Sequence, residues 1–173
     1  MALSGAPDRL SDDMAAAIGH AISAFGFLEE ALKRAIFSLT RKQLGEEVSE
    51  RALQAWLRRI EDIADDTLGT LIDSFIAAMK QAGIDGRDAL SDDLRQIRLN
   101  RNLLCHASWR PGRKPGHWLP TFINTRGERH PDEMDPAAVR AIHMDTLRAA
   151  RRVVSIMRGT GIDGEWAGYD GSA

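Results

Sequence analysis

The stretch Ser91-Asp92-Asp93-Leu94-Arg95-Gln96-Ile97-Arg98-Leu99-Asn100-Arg101-Asn102-Leu103-Leu104-Cys105-His106 opens on a serine and two acids. That order is an N-cap with negative charge at a helix start. Leu94, Ile97, Leu99, Leu103 and Leu104 follow at helical spacing, which predicts a helix from Asp92 to about Cys105. Arg95, Arg98, Arg101, Asn102 and His106 crowd its other side, so this helix carries more polar groups than solvation alone needs.

The same cap signal stands at Ser11-Asp12-Asp13, ahead of Met14, Ile18, Ile22, Phe25, Leu28, Leu32, Ile36 and Leu39, and predicts a long amphipathic helix closed by Gly45. Phe27 widens its apolar face, which suggests contact on two sides. A second helix is expected from Glu46 to Asp65 through Leu53, Trp56, Leu57, Ile60 and Ile63, with Arg58-Arg59 and Glu61-Asp62 towards water. Thr67 caps a third through Leu68, Leu71, Ile72, Phe75 and Met79, stopped by Gly83 and Gly86. Asp135-Pro136 supplies a cap and an N1 proline for a last helix ending near Gly159. After His106, turn residues flank a short β-prone run, His117 to Asn124, which predicts a small irregular hairpin after the fourth helix. The fold class is therefore all-α: an antiparallel bundle of about five helices in a single domain, residues 1–173, with loose tails at 1–10 and 161–173.

A chain of 173 residues can bury a core without staples. Its lone Cys105 cannot form an internal disulfide, and no segment approaches the roughly twenty apolar residues of a membrane span, so a soluble, cytoplasmic protein is expected. Net charge is −2, unevenly spread: Arg95 to Arg129 holds eight Lys or Arg against Glu128 alone, a balance of +7 that leaves −9 elsewhere. No metal or cofactor is expected, because no Glu-x-x-His, His-Glu-x-x-His, paired-cysteine or Gly-rich phosphate-loop pattern occurs. His20, His117, His130 and His143 read as surface or packing histidines.

The stretch Arg98 to Trp109, with Arg101-Asn102-x-x-x-His106 at its centre, resembles the signature of the HEPN superfamily. The order of long helices, the late position of the motif and the His-small-small-Trp entry into a hairpin share that resemblance. The resemblance implies a HEPN-like helical domain whose site cleaves RNA without metal, in a toxin or defence effector, with a nucleotidyltransferase-like antitoxin as partner. It also implies that two chains pair so that both motifs meet in one cleft, hence a homodimer. Many HEPN-like chains are inactive, so the alternative is a non-catalytic nucleotide- or protein-binding module.

The residues fit that chemistry on their own terms. Histidine takes or gives a proton near neutral pH, and the Arg101 fork suits charge growing on a phosphate. Asn102, four residues before His106, shares its helix face, and Arg98 joins them a turn earlier. Arg101 does not, because five residues turn about 140° around a straight helix. Either the helix bends or ends near Cys105, or long side chains wrap, or Arg98 is the nearer guanidinium. Arg98, Arg110, Arg113 and Lys114 are candidate phosphate contacts, and Trp109 and Trp118 either stack bases or seal the hairpin. Glu29 and Glu30 either steady the arginines or form a wet helix edge. The competing reading makes Arg98, Arg101 and Asn102 solvated helix residues and His106 a capping histidine.

Overall fold

The computed structural model describes residues 9–45, 47–121 and 132–162. Ser11 starts the first helix: its Oγ accepts from Met14 N at 3.4 Å, and Asp12 and Asp13 complement the dipole. Helix α1 spans Asp12–Leu44, and Gly45 leaves it at φ 73°. Four more helices follow among the described residues: α2 (Glu50–Ala64), α3 (Leu68–Gln81), α4 (Arg87–His106) and α5 (Pro136–Arg158). Strands β1 (Ser108–Pro111) and β2 (Trp118–Thr121) pair antiparallel between α4 and α5, with Ser108 opposite Thr121 and Pro111 opposite Trp118. The protein is an all-α bundle with one small hairpin, as the periodicity predicts.

Two element starts differ from the sequence reading. Helix α2 begins at Glu50 because Ser49 is the cap, its Oγ accepting from Ala52 N at 3.3 Å, while Glu47 and Val48 are not helical. Helix α4 begins at Arg87, a turn before the Ser91-Asp92-Asp93 signal. Ser91 is buried inside the helix, and its Oγ donates to Arg87 O at 2.7 Å. Asp92 and Asp93 instead pair with Arg95 and with Arg152, each at 3.0–3.1 Å. The other caps stand where predicted: Thr67 accepts from Thr70 N at 3.4 Å, and Asp135 from Ala138 N at 2.8 Å.

The chain groups into two compact units, with α1, α4 and α5 divided between them. The first comprises Met1–Gly26 and Gln96–Leu147. Its buried side chains include Met14, Phe25, Ile97, Leu104, Trp118 and Val139. Arg140 pairs with Asp13 at 3.0 Å, an exposed link worth little by itself. The second unit comprises Phe27–Arg95 and Arg148–Ala173, with Leu28, Leu32, Ile72, Phe75, Leu94 and Val153 fully or almost fully buried. Helix α2 is loosely covered: Ile63 alone of its residues is buried, and Leu57, expected on the apolar face, is exposed. Trp56 is held by Thr40 Oγ1, which accepts from its Nε1 at 3.0 Å, and by the Phe37 ring. Arg58, Arg59, Glu61 and Asp62 face water as expected. No helix among the described residues is long and apolar enough to cross a membrane.

Of the sequence expectations, those for residues 1–8, Glu46, Phe122 to Asn124, Arg126, Glu128, Arg129, His130 and residues 163–173 lie outside the described residues.

Candidate functional site

The site is the end of α4 and the hairpin that follows it. The helix closes on Ala107 N donating to Leu103 O at 2.9 Å, so His106 is its last residue and Ser108 already belongs to β1. Leu103 and Leu104 are buried, which points Cys105 and His106 outward. Arg101 and Asn102 are half-buried, and Leu99 is 56% exposed.

The rotation problem is solved by side-chain length: Arg101 Nη1 reaches to 3.5 Å from His106 Nε2. The contact is long for a hydrogen bond. Guanidinium has donors and no acceptor, so in this contact Nε2 can only be the accepting atom. Asn102 and Arg98 make no hydrogen bond or ion pair among the described residues, and of the two arginines it is Arg101 that contacts the ring. Glu30 pairs with Arg34 on its own helix at 2.7 Å, in keeping with the wet-edge reading.

The hairpin separates its two tryptophans. Trp118 is 8% exposed and seals the structure, while Trp109 stays half-buried. Trp118 also exchanges two backbone hydrogen bonds with Met134, at 2.7 and 2.8 Å, on the side of β2 away from β1. Arg110, Arg113 and Lys114 are exposed. The turn they flank is closed by Gly112 N donating to His117 O at 2.8 Å and His117 N to Lys114 O at 3.1 Å. Pro115 and Gly116, at φ 75°, fill its tip, the arrangement of a type II turn.

Sequence reasoning missed Glu133. The Met134–Trp118 pair brings it over this turn, where Oε1 accepts from Arg113 N at 2.7 Å and Oε2 from Lys114 N at 3.3 Å. The Arg113 N–H bond, chiefly, holds its carboxyl below the usual glutamate range, helped by Lys114 N–H and the Arg113 and His117 charges and opposed by burial. A glutamate twenty residues from its donors leaves no local pattern to read; Gly112 before two cations was the one visible hint.

His20 and His143 face each other with ring centroids 5.9 Å apart, and among the described residues no group of three metal-ligating side chains forms. No family model matches the chain, and neither a curated protein nor a solved structure matches it.

Proposed function

We propose that the chain is a metal-independent endoribonuclease of HEPN type, acting as a homodimer on single-stranded or looped RNA. The observation that carries this reading is the outward-facing Arg101–His106 pair, 3.5 Å apart at the head of a basic hairpin. In the reaction His106 takes the proton of a ribose 2′-hydroxyl, whose oxygen attacks the adjacent phosphorus. The new bond closes a cyclic phosphate, the bond to the 5′-oxygen of the next nucleotide breaks, and that oxygen receives a proton. Arg101 stabilises the charge that builds on the phosphate oxygens. One histidine cannot be base and acid in the same step, so the second proton comes from His106 of another copy across a two-fold axis. Leu99, Asn102 and His106 lie at offsets of three and four residues on one face, and the exposed Leu99 gives that face an apolar anchor for the second copy.

The place of action in this reading is the cytoplasm, in keeping with the free, exposed Cys105. There the chain serves as a toxin or defence effector restrained by a nucleotidyltransferase-like antitoxin.

Cleavage of single-stranded RNA in excess EDTA tests the reaction. Arg101→Ala and His106→Ala should each lower the rate by roughly 10²- to 10⁴-fold. Loss of cleavage on chelation, or full activity in both variants, overturns it. The exposed Leu99 also favours a second reading, a non-catalytic nucleotide- or protein-binding module. In that case His106→Ala leaves function intact and Leu99→Asp abolishes it.

A further inference from the structure

The turn between β1 and β2 already holds an anion, and the anion belongs to the chain. Two successive main-chain N–H groups, of Arg113 and Lys114, converge on the two oxygens of Glu133, at 2.7 and 3.3 Å. Paired amides of this kind form a concave site for negative charge. The approach is closer than a side chain permits: a Cβ at Gly112 would stand 2.8 Å from Glu133 Oε2 and 2.9 Å from His117 O. Glycine at 112 is therefore what lets an oxyanion reach these amides.

The cation side chains of the turn make no direct contact with that carboxylate, although the Arg113 charge favours its ionised form. The Arg113 and Lys114 side chains are exposed and make no hydrogen bond or ion pair among the described residues. An open pocket of about 470 Å³ runs along the same turn, lined by Ser11 and the residues from Pro111 to Trp118. Glu133 is placed by the backbone pairing of Met134 with Trp118, so its carboxylate can leave the amides by side-chain rotation while the hairpin stays paired.

A phosphodiester presents the same features as the carboxylate: two oxygens to two donors, and one negative charge. It offers besides a backbone that continues past the amides, within reach of the idle Arg113 and Lys114 side chains. Arg113 lies seven residues after His106, at most about 25 Å of extended chain, so a short strand of RNA spans both.

We propose that the Gly112–Lys114 turn is a phosphate cradle whose resting occupant is the Glu133 carboxylate, and that a phosphate of bound RNA displaces it. The proposal rests on the ribonucleic-acid reading above for the source of the phosphate, but the cradle itself does not. Glu133 thus acts as an internal competitor: it keeps the turn ordered when no RNA is bound and sets a threshold for binding.

The experiment compares wild type with Glu133→Gln in two arms. In the first, inorganic phosphate is titrated while the amide resonances of Arg113 and Lys114 are followed by NMR; they should move in the variant at concentrations that leave wild type unchanged. In the second, a labelled single-stranded oligoribonucleotide is titrated by fluorescence polarisation, and the variant should bind roughly three- to tenfold more tightly, the scale of losing one competing charge-assisted contact. Amides that ignore phosphate in both proteins overturn the cradle. Amides that respond while RNA affinity stays equal or weakens overturn RNA as the occupant and count against the nuclease reading, leaving free phosphate as ligand. Should Glu133→Gln fold poorly, Glu133→Asp, too short to span both amides, is expected to shift both arms in the same direction.

Discussion

Arg101 and His106 meet across the last turn of α4, with Nη1 3.5 Å from Nε2, although a straight helix sets their Cα positions well apart around its axis. The arginine side chain makes up the difference, and because it only donates, Nε2 is the accepting atom of the contact. Lysine cannot reproduce this with a single ammonium on a flexible stem. On the proposed nuclease reading, Arg101→Lys should lower the RNA cleavage rate by about 10²-fold while thermal stability changes by no more than about 0.5 kcal/mol. Wild-type cleavage by the lysine variant would reduce the role of Arg101 to charge alone.

Leu99 is the most exposed large apolar residue among those described, and it shares a helix face with Asn102 and His106. If two copies pair through this face, Leu99→Asp places two buried carboxylates at the contact. The expected result is a monomer by light scattering at micromolar concentration, together with loss of cleavage although Arg101 and His106 are intact. A variant that stays dimeric locates the interface elsewhere.

The helices were legible because their apolar spacing is local, and so were the caps at Ser11, Thr67 and Asp135. The start of α4 was not. Ser91-Asp92-Asp93 has the composition of a cap, yet the turn before it, Arg87 to Leu90, is equally able to be helical, and burial of Leu90 decides the matter. That burial depends on residues far along the chain. The same limit applies to the site. The contact between Arg101 and His106 lies within six positions, whereas Glu133 reaches its donors through a strand pairing that no short window contains.

Two of the residues with cap-like sequence signatures, Asp135 and Ser91, separate in a stability measurement. Asp135 accepts from Ala138 N at 2.8 Å at the head of α5, whose Val139 and Val153 are fully buried. Asp135→Ala should cost about 1 kcal/mol and lower Tm by roughly 2–4 °C. Ser91 merely donates a second hydrogen bond to a carbonyl already inside the helix, and alanine is the better helix former. Ser91→Ala should stay within about 0.5 kcal/mol of wild type by thermal unfolding. A large loss there would mean that the serine caps after all.

Glu133 makes the structure of the β1–β2 turn depend on pH in one direction. Its carboxyl lies below the ordinary value of 4.5, first because Arg113 N–H binds the ionised form, and further because of Lys114 N–H and the Arg113 and His117 charges. The folded value is depressed, so the stabilisation it contributes is fully present above the unfolded value and is lost as pH falls through the folded one. The amide resonances of Arg113 and Lys114 should accordingly move together as pH falls below about 4.5. Glu133→Gln keeps the shape of the side chain without the titrating proton, and its amides should show no such step. If both proteins show the same step, the titrating group is another carboxylate, and Glu133 does not hold the turn through its charge.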